Sequence, residues 1–168
     1  MARILLLIRH AKAVADAGTD AQRPLAPRGV RDARAVGRWL AEHQLAPDQV
    51  LVSPARRTVQ TWETAAAGFS AAPMVTTDRR IYENTIESLL AVIQEAAAGA
   101  DVLAVVGHNP SMHGLALALD DGLGDERLRA DVAGAFPTSG IAVLDVATGW
   151  AELGLSGATL RQFAVPRG

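Results

Sequence analysis

The sequence lacks cysteine altogether and contains a single lysine, Lys12. The absence of cysteine excludes disulfides, thiolate metal sites and a cysteine nucleophile, and it is compatible with a reducing compartment. Long hydrophobic runs are also missing: Ile4–Ile8, the first apolar run, is too short for a membrane span or a signal peptide. We therefore expect a cytoplasmic protein that does not associate with membranes.

Charge of neither sign dominates the chain. The formal net charge is −2, which gives no overall attraction to nucleic acid or to anionic lipid, so any anion-binding site must be local. The hydrophobic fraction of 49% and the charged fraction of 20% are typical of a soluble globular protein. A length of 168 residues predicts one domain over residues 1–168, which we expect to be a monomer.

Short apolar runs alternate with amphipathic segments along most of the chain, which favours a parallel sheet covered on both faces. We predict an α/β fold, a three-layer α/β/α sandwich with a mostly parallel central sheet and an antiparallel C-terminal edge. No element is predicted for residues 120–135. The predicted strands are 3–8, 49–53, 73–78 and the apolar run within 101–110 that ends at His108, and the predicted helices are 28–44, 54–68, 85–98 and 111–119. A C-terminal hairpin is predicted from strands at 140–146 and 151–156.

Polar residues follow three of the predicted strands. His10, Ser53 and His108 each come directly after an apolar run. Because ligands of such sheets bind outside the carboxyl ends of the parallel strands, these residues are expected to converge although they are distant in sequence.

The residues near these strand ends suit a phosphoryl group. Arg9 precedes His10, and the arginine pair Arg56 and Arg57 follows the second strand. Guanidinium groups match phosphoryl oxygens bidentately, and a neutral imidazole can attack phosphorus to form a phosphohistidine without a metal. The same histidines could instead be ordinary loop or helix-capping residues.

The other two histidines receive structural interpretations. His43 lies near the end of an amphipathic helix and is assigned to the surface. His113 lies beyond His108, but the neighbourhood lacks the spacing of a zinc motif such as H-E-x-x-H. We therefore predict no metal and no cofactor.

Six pieces of the sequence form a recognisable ordered set: "LIRHAKA" (7–13), "RPLAPRG" (23–29), "LVSPARRTVQT" (51–61), "IYE" (81–83), "VVGHNPS" (105–111) and "FPTSG" (136–140). In this order they resemble the histidine phosphatase superfamily and, within it, the short SixA-type phosphohistidine phosphatases. Two departures from the family pattern occur: Ala11 replaces the glycine that commonly follows the Arg-His pair, and Ala26 stands where many relatives have threonine.

The resemblance implies a role for each matching residue. His10 would be the nucleophile, with Arg9, Arg57 and His108 as ligands of the phosphoryl group, while Arg56 would point elsewhere. Glu83 occupies the place of the superfamily's proton donor. The role of Lys12 stays open between a phosphate ligand and a solvated loop residue, and we favour the second.

The resemblance implies a metal-independent phosphatase that acts through phospho-His10. Its substrate would be a phosphoprotein, such as a phosphohistidine protein, or a small phosphomonoester, bound in a shallow, open pocket. A phosphohistidine leaves as imidazole, which needs an acid less than an alkoxide does. Two alternatives remain: a small-metabolite phosphatase or mutase of the same superfamily, and a catalytically idle phosphate-binding module.

Overall fold

The computed structural model of the chain describes residues 2–168 and contains a six-stranded sheet. The strands are β1 (Arg3–Arg9), β2 (Gln49–Val52), β3 (Met74–Thr77), β4 (Val102–Gly107), β5 (Ile141–Val146) and β6 (Ala158–Ala164). In space they lie in the order β3-β2-β4-β1-β5-β6. The pairs β1–β4, β4–β2 and β2–β3 are parallel, whereas β5 and β6 form the antiparallel edge. Both the parallel centre of the predicted sheet and its antiparallel C-terminal edge are confirmed.

Helices cover both faces of this sheet. They are α1 (Pro27–Glu42), α2 (Arg56–Ala66), α3 (Arg79–Tyr82), α4 (Ile86–Gln94), α5 (Ser111–Leu119) and α6 (Glu126–Gly134). Alternate residues of β1 serve the two layers: Leu5 and Leu7 belong to the core with α4 and α5, while Leu6 and Ile8 belong to the core with α1 and α2. These four side chains are at most 1% exposed, which is why β1 reads as a continuous apolar run. No helix within residues 2–168 has both the length and the apolar character needed to cross a bilayer.

Local sequence explains where several helices begin. Thr85 precedes α4, and its hydroxyl accepts a hydrogen bond from the Ser88 amide at 3.1 Å. Ala26 offers no such cap to α1, which instead begins with Pro27, at a position where no backbone N–H is needed. In the region left unassigned, Asp125 caps α6 through its carboxylate.

The predicted strand at residues 151–156 is wrong. After β5 the chain forms a 3-10 turn at Trp150–Glu152, and the outer strand of the hairpin is β6, which begins only at Ala158. The cause is burial of Trp150, which is 2% exposed and whose indole N–H donates to the Ala100 carbonyl at 2.8 Å. Burying the indole against the α4 layer takes this segment out of the sheet.

Two predicted helix boundaries also shift. α2 begins at Arg56 rather than at Pro54, because the Ala55 amide is bonded to the Ser53 hydroxyl at 3.3 Å and the chain is not yet helical there. α4 ends at Gln94 rather than near 98, where the Ala97 amide donates to the side chain of Gln49 on β2 at 2.9 Å.

The first loop, residues 11–26, connects β1 to α1. Its base is closed by two backbone hydrogen bonds, from the Val14 amide to the Pro24 carbonyl at 3.0 Å and from the Ala26 amide to the Lys12 carbonyl at 2.9 Å. Its tip is a 3-10 turn at Asp20–Gln22. This closure holds the tip of the loop beside the carboxyl ends of β1 and β2.

Candidate active site

The structure brings the predicted strand-end residues together. The parallel register pairs Arg9 with Gly107, so that His10 and His108 emerge side by side with ring centroids 5.4 Å apart. Arg57 reaches the same point from the start of α2, and one of its terminal nitrogens lies 3.2 Å from His108 Nδ1. His10, Arg57 and His108 are all at least nine-tenths buried. The predicted convergence of His10, Ser53 and His108 is therefore observed, with Arg57 at the same point.

The ring of His10 is fixed in one tautomer. Its Nδ1 lies 2.7 Å from the Ala11 carbonyl, and because a carbonyl oxygen only accepts, Nδ1 carries the proton and Nε2 holds the lone pair. The pKa of His10 is lowered to about 4, and burial of the ring is the largest cause. The hydrogen bond to the Ala11 carbonyl raises the pKa, whereas the positive charges of Arg57 and Arg9 lower it. His10 is thus a neutral imidazole at physiological pH, with an unprotonated nitrogen available as a nucleophile.

Both arginines of the site have guanidinium nitrogens without a partner. Arg9 donates one bond, to the Phe136 carbonyl at 3.0 Å, and burial lowers its pKa. The Nε–H groups of Arg9 and Arg57 are buried, and neither has a hydrogen-bond partner within residues 2–168. Buried charged donors that lack partners are costly, and a tetrahedral oxyanion supplies acceptors that match them. The two guanidinium groups can therefore serve as ligands of an anion.

His108 uses both of its ring nitrogens. Nδ1 faces Arg57, and Nε2 lies 2.7 Å from the hydroxyl of Ser53, which follows β2 and is fully buried. Burial, followed by the charge of Arg57, lowers the pKa of His108 to about 3. His108 is therefore also neutral in the unliganded site.

Asp20, at the tip of the first loop, is a site residue that the sequence did not reveal. Its carboxylate accepts hydrogen bonds from the Tyr82 hydroxyl at 2.6 Å, from Arg23 at 2.9 Å and from Arg57 at 3.1 Å. The bond from Tyr82, then that from Arg23, holds the pKa of Asp20 well below its usual range, and the same pairing raises the pKa of Tyr82. The Asp20 side chain is 53% exposed, so this edge of the site is open to solvent.

The signal that could have pointed to this cluster is the "IYE" piece, which contains Tyr82 as well as Glu83. Glu83 is exposed, and its carboxylate accepts a hydrogen bond from the Ser88 hydroxyl at 2.7 Å rather than from any of the four central residues. Its role as proton donor stays a prediction.

Two other basic residues of the matching sequence pieces, Arg56 and Lys12, lie at the surface. Arg56 is exposed, in agreement with the expectation that it points elsewhere. Lys12 is exposed as well, and the hydrogen bonds within residues 2–168 include none from its ammonium group; its role stays a prediction. Its carbonyl oxygen, in contrast, closes the base of the first loop.

The two histidines outside the site make structural contacts. His43 Nδ1 donates to the Trp39 carbonyl at 2.8 Å at the end of α1, as expected of a surface residue there. His113 Nε2 donates to the Val132 carbonyl at 2.6 Å, which links α5 to α6. Within residues 2–168 no group of three or more histidine or acidic side chains is arranged to hold a metal ion.

A three-layer α/β fold that presents two histidines and two arginines at the carboxyl ends of its central strands defines the class of protein. A family model described as the histidine phosphatase superfamily (branch 1) matches residues 5–89. The chain belongs to this superfamily.

Individual relatives place the chain near the SixA group. An uncharacterized protein of Mycobacterium tuberculosis is 40% identical over 162 residues, which is 95% of this chain and 100% of the relative. A solved structure described as "putative phosphohistidine phosphatase SixA" from Nakamurella multipartitia has a TM-score of 0.89 and 32% identity, covering 99% of this chain and 97% of that one. Phosphohistidine phosphatase SixA of Escherichia coli is 37% identical over 59 residues, 35% of this chain and 37% of its own.

Proposed function

We propose that the protein is a phosphatase that transfers a phosphoryl group to His10 and then to water, with a phosphohistidine protein as its preferred substrate class. One observation carries this proposal: a neutral His10 with a free Nε2 lies beside buried guanidinium N–H groups that have no partner within residues 2–168. This arrangement supports a nucleophilic role for His10 and an oxyanion-binding role for the two arginines.

The chemistry proceeds in two steps. First, the Nε2 lone pair of His10 forms a bond to phosphorus as the bond to the leaving group breaks, and the leaving group departs with that electron pair and takes a proton. Arg9, Arg57 and His108 surround the charge on the transferred group, which is where most of the rate enhancement arises. Second, water attacks phospho-His10, releasing inorganic phosphate and restoring the Nε2 lone pair.

The choice of phosphohistidine rests on the leaving group. Glu83 is bonded to Ser88 and Asp20 stays ionised, so neither is poised as an acid in the resting site. Imidazole, with an unperturbed pKa of about 6.5, leaves without a strong acid, whereas an alkoxide does not. The open edge at Asp20 and the likeness to SixA proteins also support a substrate carried on a protein surface.

The proposal is tested by measuring turnover of a phosphohistidine protein and of an aryl phosphate, each with and without a chelator, for the wild type and for His10→Ala. We expect turnover of both substrates that survives the chelator, a higher kcat/KM for the phosphohistidine protein, and loss of turnover in His10→Ala. The matched control is His43→Ala, which removes a surface imidazole and should retain full activity.

Each alternative has a distinct outcome. Quenching a single turnover with alkaline detergent should trap radioactive phosphate on the wild type, in a bond that is stable to alkali and labile to acid, and should trap none on His10→Ala. Binding of phosphate without turnover of either substrate would identify an idle binding module. Turnover of a small phosphomonoester far exceeding that of the phosphohistidine protein would overturn the proposed substrate class.

A further inference from the structure

The tautomer of His108 follows from its two neighbours. Arg57 has no acceptor atom, so the nitrogen that faces it, Nδ1 at 3.2 Å, cannot carry a proton without opposing an N–H donor. The proton of the neutral ring therefore lies on Nε2. That nitrogen is 2.7 Å from the Ser53 hydroxyl, which accepts the hydrogen bond. In the resting site His108 thus presents a lone pair, and not a proton, toward Arg57.

This arrangement does not suit a bound oxyanion. Phosphoryl oxygens at neutral pH accept hydrogen bonds, so a His108 that contacts one through Nδ1 must carry a proton there. The ring can gain that proton while keeping Nε2–H bonded to Ser53, and the product is an imidazolium between a serine oxygen and an anion. Binding of the anion and uptake of a proton are then coupled.

We propose that Ser53 is a positioning residue that holds the Nε2 proton of His108, so that Nδ1 becomes the nitrogen that takes a proton from solvent when an oxyanion binds against it. The inference deepens the proposed function and rests on it only in requiring that the site bind an oxyanion.

The location of Ser53 supports this role. It follows β2 directly, is 0% exposed and also accepts a hydrogen bond from the Ala55 amide at 3.3 Å. Its backbone carbonyl is bonded to the Thr58 hydroxyl at 2.8 Å, so both ends of the residue are fixed. The next residue, Pro54, has no backbone N–H that could compete for the hydroxyl oxygen. A hydroxyl held in this way imposes one orientation on the ring of His108.

The groups around His108 determine whether its ring takes up a proton when an anion binds. In the resting site burial of the ring, and then the positive charge of Arg57, oppose a second proton on His108, whereas Asp20 favours it. A dianion in contact with Nδ1 reverses this balance because it places two negative charges beside the ring. The titratable and charged groups that face His108 are Arg57 from α2, His10 after β1, Asp20 and Arg23 from the first loop, and Tyr82 from the end of α3.

The first test is spectroscopic and uses the resting protein. Nitrogen-15 chemical shifts of His108 at neutral pH should show a protonated Nε2 and an unprotonated Nδ1. In Ser53→Ala the Nε2–H loses its acceptor, and the shifts should move toward a mixture of tautomers. Ser53→Thr retains a hydroxyl and should restore the wild-type shifts. A wild-type ring protonated on Nδ1 would overturn the inference and leave the proposed phosphatase activity untouched.

The second test measures proton uptake with tungstate, a tetrahedral dianion that carries no proton of its own near neutral pH. Calorimetric titration at about pH 6 in two buffers of different ionisation enthalpy should show uptake of about one proton per tungstate bound. Ser53→Ala should bind tungstate at least tenfold more weakly and take up a smaller fraction of a proton. Binding with no proton uptake by the wild type would refute the coupling.

The matched control is Ser111→Ala. Ser111 is also buried and also bonds to His108, but its hydroxyl donates to the backbone carbonyl at 3.0 Å and not to the ring. Its removal should lower stability to a similar degree while leaving the tautomer and the proton uptake at wild-type values. Equal changes in both variants would show that Ser53 acts only through stability, and would overturn the inference.

Discussion

Arg57 contacts Asp20 twice, through the backbone carbonyl at 2.8 Å and through the carboxylate at 3.1 Å. The tip of the first loop is thereby fastened to the guanidinium that faces His108. The carbonyl contact orients the arginine, whereas the carboxylate occupies a donor that an incoming oxyanion also needs. Asp20 therefore both places Arg57 and competes with the phosphoryl group for it.

Replacing Asp20 by asparagine should strengthen the binding of inorganic phosphate. The backbone contact that orients Arg57 remains, while the negative charge that repels the ligand is removed. Because the carboxylate is half exposed, the gain should be modest, about two- to fivefold in the inhibition constant of phosphate. The control is Asp16→Asn, an exposed acid of the same loop, which should leave the constant unchanged. Weaker phosphate binding by Asp20→Asn would mean that the carboxylate is required to hold Arg57.

Replacing Arg57 by lysine should abolish most activity without unfolding the protein. A lysine keeps the charge but cannot bond to Asp20, to His108 and to a phosphoryl oxygen at the same time. The loss of preorganised donors should lower kcat by about a hundredfold or more. Arg56→Lys, one residue away and exposed, is the matched control and should retain wild-type kcat. A kcat within a few-fold of wild type for Arg57→Lys would remove Arg57 from the proposed machinery.

The acid limb of the pH–rate profile should lie unusually low. His10 attacks only when Nε2 is unprotonated, and its pKa is lowered from the ordinary 6.5 to about 4 by burial. The kcat/KM for an aryl phosphate, corrected for the ionisation of the substrate, should not decline between pH 7 and about pH 5, where proton uptake by His108 raises it, and should decline only near pH 4. A decline centred near pH 6.5 would contradict a desolvated nucleophile.

Stability should fall as the pH falls from 6.5 toward 4. In this window the unfolded chain protonates His10 and His108 while the folded chain, in which both pKa values are lowered, does not. The unfolded state therefore binds more protons, and the free energy of unfolding decreases by up to about 3 kcal/mol from His10 alone. Urea unfolding at a series of pH values should show a shallower dependence in His10→Gln than in the wild type or in His43→Gln.

The sequence could predict the site residues that follow the ends of strands. His10, Ser53 and His108 each follow a short apolar run, and parallel pairing of those runs leaves their carboxyl ends at one edge whatever the loops do. The same reasoning indicated the pair Arg56 and Arg57 in the first turn of the helix that follows β2, and the family resemblance distinguished Arg57 from Arg56.

The part that sequence could not predict depends on contacts between distant loops. Asp20 reaches Arg57 because the bonds of Val14 and Lys12 close the base of the first loop, and no local pattern encodes that closure. Trp150 likewise leaves the expected hairpin because the Ala100 carbonyl, fifty residues away, offers a partner to its indole. Local periodicity carries no information about such partners.

Gly29→Ala should destabilise the fold and disturb the site together. A Cβ at position 29 would lie 2.0 Å from the carbonyl oxygen of Lys12, a backbone atom that cannot move without opening the base of the first loop. We expect a loss of at least about 2 kcal/mol in the free energy of unfolding, with a raised KM as Asp20 shifts. Gly134→Ala is the control: nothing lies within 4 Å of its Cβ, and alanine favours the last turn of α6. Wild-type stability and KM in Gly29→Ala would show that α1 can move away from the Lys12 carbonyl, and that the loop closure does not depend on this glycine.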